Sequence, residues 1–121
     1  MTSISAAAES YAWQMAVISL YLELPETPVS VSVADQQQAR RWFERSIPLP
    51  TIETALLLGS LRRLLRPAEA PPLQPIRSLA YFQPVIEELL QNPMPDGYGT
   101  YLRRKLQSCL RDRAGAQAST A

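Results

Sequence analysis

Proline sets the strongest constraint on the fold of this chain, because its eleven prolines divide the sequence into segments of helical length. Proline lacks a backbone N–H and clashes with the preceding turn, so it is tolerated at a helix start and in connections but not in a helix interior. Most of the prolines fall in four groups, at residues 25–28, 48–50, 67–75 and 93–95. Apolar residues between these groups recur at intervals of three and four, the period of an α-helix. The sequence therefore predicts an all-α protein, a compact bundle of about five helices with proline-rich connections.

The predicted helices form a single domain over residues 9–113, with flexible ends at 1–8 and 114–121. At 121 residues the chain has the commonest size for one domain. A short alternation of valine and serine at 29–33 has the period of a strand, but no second strand candidate exists to pair with it, so we expect a loop there. The expected helices span about 9–23, 32–46, 50–65, 78–91 and 97–113.

Two helix boundaries carry specific signals. Ser32 is followed three residues later by Asp35, a variant of the capping box, in which each side chain bonds the backbone N–H of the other residue. In the fourth helix, Pro84 removes one backbone hydrogen bond, which predicts either a kink or a break into two short pieces. The proline-rich stretch 67–75 is expected to be a stiff spacer with polyproline-like backbone.

The first helix carries two apolar stripes on roughly opposite sides. They are Tyr11, Met15, Ile18 and Leu22 on one side and Trp13, Val17, Leu20 and Leu24 on the other. Such a helix is either the central element of the domain or presents its second face to a partner. In the second case, we expect Trp13, Val17 and Leu20 to bind a protein partner or a second copy of the chain.

The apolar run at 12–24 predicts neither a secretory signal nor a membrane span. No basic residue precedes Arg40, so the basic region of a signal is missing. The run is also shorter than the roughly 20 apolar residues that cross a bilayer. Cys109 is the only cysteine, so an intramolecular disulfide is impossible and nothing indicates an oxidising compartment. We therefore expect a cytoplasmic protein without membrane contact.

The sequence contains no recognisable catalytic or metal-binding constellation. Histidine is absent, which removes the commonest general base and metal ligand. One cysteine without histidine cannot supply a zinc site, and Cys109 lies among leucines, as a structural cysteine does. The adjacent Glu87 and Glu88 point about 100° apart on a helix, so they are expected to be solvated and not to share a site. We expect no catalytic residue, metal, cofactor or small-molecule substrate.

Charge is distributed unevenly along the chain, although the net charge is only +1. Residues 1–35 contain four acids and no base, whereas residues 36–121 contain seven acids and all twelve bases, eleven of them arginine. Guanidinium groups pair with phosphates or carboxylates in two-point geometry. A codon bias towards arginine would give the same excess. The composition therefore leaves open whether the arginines bind nucleic acid or only form a solvated surface.

Two helices supply the candidate phosphate contacts. The third helix ends in Arg62, Arg63 and Arg66, which either offset the negative end of the helix dipole or contact phosphates. The last helix contains five bases and one acid, and Arg104 and Arg111 share one face of it. The alternative for this helix is an ordinary solvated amphipathic surface. The residues expected to contact phosphates, without reading base sequence, are Arg62, Arg63, Arg66, Arg103, Arg104 and Lys105.

Two segments of the chain resemble the helical DnaD-like replication accessory domain of bacteria. Residues 39–60 (ARRWFERSIPLPTIETALLLGS) and 76–90 (IRSLAYFQPVIEELL) have its order of a helix, a "G-I-P" type turn, a second helix and an "S-L-x-Y" helix. Ser46 stands where the family often has glycine. The resemblance covers about a third of the chain. It implies an all-α domain, without enzymatic activity, that binds DNA or a replication partner on plasmids, phages or other mobile elements.

Three functions remain open at this point. The first is a non-enzymatic, DNA-associated accessory protein of bacterial replication or a mobile element. The second is a structural helical subunit of a larger protein or nucleoprotein assembly, docked through the apolar first helix. The third is a small enzyme, for which no motif in the sequence offers support.

Overall fold

The computed structural model describes the backbone of residues 2–119 and the side chains of residues 6–115. Within that range the chain forms five α-helices and one short 3-10 helix, with no strand, which confirms the predicted all-α bundle. The elements are α1 (Thr2–Glu23), α2 (Val33–Glu44), α3 (Leu49–Leu64), the 3-10 helix (Leu79–Phe82), α4 (Gln83–Gln91) and α5 (Tyr98–Ser119). None of these helices is long and apolar enough to cross a membrane.

The centre of the bundle is α3, which packs against α1, α4, α5 and the 3-10 helix. Its side chains from Ala55 to Leu61 are buried without interruption. Gly59 allows a close approach at this point, because a β-carbon there would lie only 2.8 Å from the ring of Phe82. A single apolar core results, to which every helix contributes side chains.

Two of the three predicted partner-binding residues of α1 lie in this core, so the prediction is wrong for them. Val17 is fully buried and Leu20 nearly so. The physical reason is that α2 and α3 both pack against α1 and cover its apolar stripes along the C-terminal half. Trp13 is half-buried and packs against the core, with its ring centroid 5.5 Å from that of Phe43. Val17 and Leu20 cannot bind a partner unless the bundle opens.

The N-terminal half of α1 is less covered than the C-terminal half. Tyr11 and Met15 are 67% and 39% exposed, whereas Ile18 on the same stripe is buried. Burial of α1 therefore changes along its length. The central helix of the bundle is α3, and α1 meets the core mainly through its second half.

Two helices are longer than predicted. Helix α1 begins at Thr2, seven residues before its predicted start, and α5 continues to Ser119, six residues beyond its predicted end. The alanines near both ends explain the difference, because alanine has the highest helix propensity and loses no side-chain entropy in a helix. Of the ends predicted to be flexible, residues 1 and 120–121 lie outside the described range.

The predicted capping box at the start of α2 is present, and it also joins two distant parts of the chain. The Asp35 N–H donates to the Ser32 hydroxyl at 3.1 Å, and the Ser32 N–H donates to Asp35 Oδ2 at 3.2 Å. The other carboxylate oxygen, Oδ1, accepts from the Leu79 backbone N–H at 2.9 Å. Because Asp35 is buried, one side chain ties the start of α2 to the start of the 3-10 helix.

The fourth predicted helix is broken at Pro84, which confirms the second of the two expected outcomes. The 3-10 helix forms its first part, and α4 begins at Gln83 with the proline in its first turn, where no intrahelical bond is lost. The side chain of Gln83 accepts a hydrogen bond from the indole N–H of the buried Trp42 at 2.6 Å. The start of α4 is thereby fixed to α2.

The chain leaves α2 through a residue in the left-handed region that is not glycine. Ser46 has a φ of 58°. Its N–H donates to the Phe43 carbonyl at 2.9 Å, and the N–H of Ile47 donates to the Trp42 carbonyl at 3.3 Å. These two bonds define a Schellman motif, whose left-handed position is usually occupied by glycine.

Ser46→Gly is expected to stabilise the protein by about 0.5–1 kcal/mol, because glycine adopts the left-handed region without the strain of an L-residue. The greater freedom of glycine in the unfolded chain reduces the gain. Urea unfolding of wild type and variant measures the difference. Ser46→Ala, which keeps the strain, is the control and should not stabilise the protein. A glycine variant less stable than wild type would contradict this explanation of the turn.

Two buried hydroxyls, those of Tyr21 and Ser60, have no hydrogen-bond partner among the described residues. Burial of Tyr21 and, secondarily, the charge of Asp35 raise the pKa of the tyrosine to about 12. In the unfolded chain, the tyrosine side chain ionises at about pH 10. The neutral, buried phenol therefore contributes stability that is complete below about pH 10 and is lost as the pH rises towards the folded pKa.

Tyr21→Phe is expected to leave stability at neutral pH unchanged or to raise it by about 1 kcal/mol, because it removes an unsatisfied buried hydroxyl. Above about pH 10 the variant should lose less stability than wild type, because phenylalanine does not ionise when the chain unfolds. Urea unfolding at neutral and alkaline pH measures both effects. A loss of more than about 1 kcal/mol at neutral pH would show that the hydroxyl is bonded after all.

Candidate nucleic-acid interface

Arg63, one of the six predicted phosphate contacts, is a structural residue. Only 5% of its side chain is exposed, and all three guanidinium nitrogens donate hydrogen bonds. Nε donates to Glu26 Oε2 at 3.2 Å, Nη1 to the Tyr81 hydroxyl at 3.1 Å and Nη2 to the Gln74 carbonyl at 2.6 Å. The guanidinium carbon also lies 5.3 Å from the centroid of the Tyr81 ring. The prediction that Arg63 contacts phosphates is therefore wrong.

The burial of Arg63 follows from its position on α3. It lies seven residues after Leu56 and four after Gly59, on the side of the helix that packs into the bundle. This spacing was a signal in the sequence that could have identified Arg63 as a buried residue. Through Glu26 and Gln74, Arg63 holds the loop after α1 and the proline-rich spacer against the end of α3.

Arg62 and Arg66 are both exposed, but their charges are not equally available. Arg62 donates to both carboxylate oxygens of Glu88, at 2.9 and 2.6 Å, and this hydrogen bonding holds the pKa of Glu88 below its ordinary value. Arg66 donates to the Pro71 carbonyl at 2.8 Å, which leaves its positive charge uncompensated. A phosphate must displace a carboxylate to reach Arg62, but it does not need to break an ion pair to reach Arg66.

Arg40 in α2 and Arg45 immediately after it are also paired with carboxylates. Arg45 donates to Glu87 Oε1 at 2.7 Å, and this bond lowers the pKa of Glu87. Arg40 pairs with Glu44 at 3.2 Å on the exposed surface of the helix. Glu87 and Glu88 thus bind different arginines, which confirms that these adjacent carboxylates do not share a site.

The bases of α5 differ from these arginines because they are exposed and make no ion pair among the described residues. The side chains of Leu102 and Leu106 are buried, and α5 packs on α3. The polar residues between and after the leucines face solvent. The exposed bases of α5 are Arg103, Arg104, Lys105, Arg111 and Arg113.

Four bases of α5 lie around its solvent side and do not all point in one direction, whereas Arg113, eleven residues after Leu102, projects on the side of Leu102, towards the end of α3. Successive residues on a helix project about 100° apart. Arg104 and Arg111 are seven residues apart and share the face opposite Leu102. Arg103 and Lys105 flank that face on its two sides. A DNA duplex docked on this face can therefore contact Arg104 and Arg111 together, and either Arg103 or Lys105 at the edge of the contact.

A further exposed arginine, Arg66, lies near the C-terminal part of α5. Gly99 lies beside Thr54 near the start of α3, and Arg113 lines the same shallow pocket as Arg66 at the end of α3. Helices α3 and α5 therefore run side by side in the same direction. We refer to Arg66 and the five exposed bases of α5 together as the α5 strip.

Four of the six residues predicted to contact phosphates are exposed in this strip, namely Arg66, Arg103, Arg104 and Lys105, and Arg111 and Arg113 lie there as well. Of the other two, Arg63 is buried and Arg62 is in an ion pair. Arg40 and Arg41 belong to α2, which packs on α1 and the 3-10 helix, whereas α5 packs on α3. The adjacent arginines at 40–41, 62–63 and 103–104 thus lie in different surroundings.

Comparisons with known proteins gave no family for this chain: no protein-family model matches it, and no curated protein or solved structure does either. Within the described residues, no three acidic or cysteine side chains are grouped closely enough to hold a metal ion. What can be said of function therefore depends on the geometry and charge of the surface.

Proposed function

We propose that this protein is a non-enzymatic, DNA-associated accessory protein of bacterial replication or a mobile element, acting in the cytoplasm, and that it contacts phosphates through the α5 strip. The observation that supports the proposal most is the contrast between helices. Four arginines in or next to α2 and α3 are paired with carboxylates. All five bases of α5 face solvent and make no ion pair among the described residues. The DnaD-like resemblance of residues 39–60 and 76–90 supports the role in replication.

The geometry of α5 suits contacts to more than one phosphate. Arg104 and Arg111 are about 10 Å apart along the helix axis, since each residue rises about 1.5 Å. A DNA duplex carries one negative charge per about 1.7 Å of its axis, so the two arginines meet different phosphates. The contacts release counterions and need no ion pair of the protein to break. They position the protein on nucleic acid without reading the bases.

The alternative of a structural subunit docked through the first helix is not supported in its predicted form. Val17 and Leu20 pack in the core, and Trp13 is half-buried against it. An assembly that used Val17 and Leu20 would need α1 to leave the bundle, which exposes the apolar core to water.

Fluorescence anisotropy with a labelled duplex of random sequence tests the proposal. We expect the affinity to fall by about 40-fold between about 50 and 200 mM salt, because about three phosphate contacts release about three counterions. A labelled acidic polypeptide of similar net charge is the control, because it tests whether any polyanion binds equally well. No binding at about 50 mM salt, or binding that does not weaken with salt, would contradict the proposal.

A further inference from the structure

A groove of about 600 Å³ lies at the opposite end of α5 from Arg113, where the first turns of α3 and α5 meet the end of α4. Its buried apolar residues are Leu57 and Leu89. Leu90 and Met94 also line it and are 38% and 36% exposed. The volume is within the range of ligand-binding pockets, roughly 300–1,000 Å³. The groove thus offers apolar surface to an occupant that reaches it from solvent.

Prolines fix the shape of this groove. Pro48 and Pro50 line it where α3 begins, and Pro93 and Pro95 line it in the connection between α4 and α5. Each proline holds its own φ near about −65°, which limits the movement of the surrounding backbone. A partner that enters the groove therefore orders little additional chain, and the entropy cost of binding is low.

Two carboxylates of the groove are unpaired. Glu53 and Asp96 line it, and neither makes an ion pair or a side-chain hydrogen bond among the described residues. By contrast, Glu87 and Glu88 on the neighbouring α4 are both bonded to arginines. Among the described residues, Arg103 is the single base of the lining, and it also belongs to the α5 strip. With two carboxylates against one guanidinium, the groove carries a net negative charge.

We propose that this groove binds a short segment of a partner protein in which an apolar side chain is flanked by lysine or arginine. The apolar side chain covers Leu57, Leu90 and Met94, and the flanking bases reach Glu53 and Asp96. Nucleic acid is disfavoured as the occupant because the two carboxylates face its phosphates with the same sign of charge. The inference goes beyond the proposed DNA contact and does not depend on it.

Binding of a fluorescein-labelled peptide of alternating lysine and leucine tests the proposal by anisotropy. Matched peptides of glutamate and leucine, and of lysine and serine, separate the charge from the apolar contribution. We expect the lysine–leucine peptide to bind at least about 10-fold more tightly than either, since each loses one of the two kinds of contact. Equal binding of the glutamate–leucine or the lysine–serine peptide would overturn the proposal.

Variants of the groove locate the binding. E53K/D96K should weaken binding of the lysine–leucine peptide by at least about 10-fold, because it reverses both unpaired charges. E9K/E69K changes the net charge equally at exposed acids outside the groove and should weaken binding by less than about 3-fold. Leu90→Ser leaves the charge unchanged and should also weaken it. Equal effects of the two charge variants, or no effect of Leu90→Ser, would overturn the proposal.

A DNA titration of the E53K/D96K variant separates this inference from the proposed function. The variant should lose the peptide and bind DNA at least as tightly as wild type, because the α5 strip is unchanged and the two lysines add positive charge beside Arg103. If DNA binding is absent in wild type while the peptide still binds through the groove, the proposed function fails and the inference stands. If the peptide does not bind wild type, the inference fails whatever the result with DNA.

Discussion

Arg63→Ala is expected to lower the free energy of unfolding by about 2–4 kcal/mol, whereas Arg62→Ala, one residue earlier, should lower it by less than about 1 kcal/mol. The difference comes from burial. Removing the Arg63 guanidinium leaves the Gln74 carbonyl, the Tyr81 hydroxyl and the Glu26 carboxylate without the bonds they make to it. Arg62 and Glu88 are both about half exposed, so water replaces their contact.

Urea unfolding of the two alanine variants measures this contrast at neighbouring positions of the same helix. Arg63→Lys is a further control, because it keeps the charge but cannot donate to three acceptors in fixed directions. We expect it to be intermediate between wild type and Arg63→Ala. Equal stability losses at positions 62 and 63 would contradict the structural role of Arg63, and would make it available again as a phosphate contact.

Asp35→Ala is the second substitution with a large expected effect, a loss of about 2–4 kcal/mol in the free energy of unfolding. It removes the carboxylate that accepts from the Ser32 N–H in the capping box, and it also leaves the Leu79 N–H without its acceptor in the buried start of the 3-10 helix. Ser32→Ala removes only the hydroxyl of the capping box. It should therefore cost about 1 kcal/mol, the usual value for a lost N-cap.

Amide hydrogen exchange at Leu79 distinguishes the two roles of Asp35. The Leu79 amide should exchange faster in Asp35→Ala than in Ser32→Ala when the two variants are compared at equal global stability, because only the first substitution removes its acceptor. Urea unfolding gives the stability of each variant. Equal losses of stability in the two variants would contradict a tertiary role for Asp35 beyond capping.

Local signals in the sequence predicted most of the secondary structure. Proline positions separated the helices, the spacing of Ser32 and Asp35 predicted the cap of α2, and Pro84 predicted the break before α4. Each of these features depends on residues close together in the chain, so the sequence contains the whole cause. The exceptions are the helix ends, where alanine-rich segments extended α1 and α5 further than periodicity indicated.

Features that depend on distant partners were not predictable in the same way. The hydrogen bond from Leu79 to Asp35 joins residues that are 44 positions apart in the chain, and the bond from Arg63 to Glu26 joins residues that are 37 positions apart. Which stripe of α1 is covered depends on where α2 and α3 pack, so the sequence alone does not place Val17 in the core. For the arginines, the number of bases can be counted in the sequence, but the carboxylates that pair with them cannot be read from it.

The salt dependence of DNA binding in two matched variants tests the account most directly. Both R104A/R111A and R40A/R45A remove two positive charges, the first pair from the open face of α5 and the second from ion pairs on α2. We expect R104A/R111A to reduce the slope of log affinity against log salt by about 2 and to weaken binding, while R40A/R45A leaves the slope near that of wild type. Equal reductions in the two variants would show that net charge alone attracts DNA, and would contradict a phosphate-binding surface on α5.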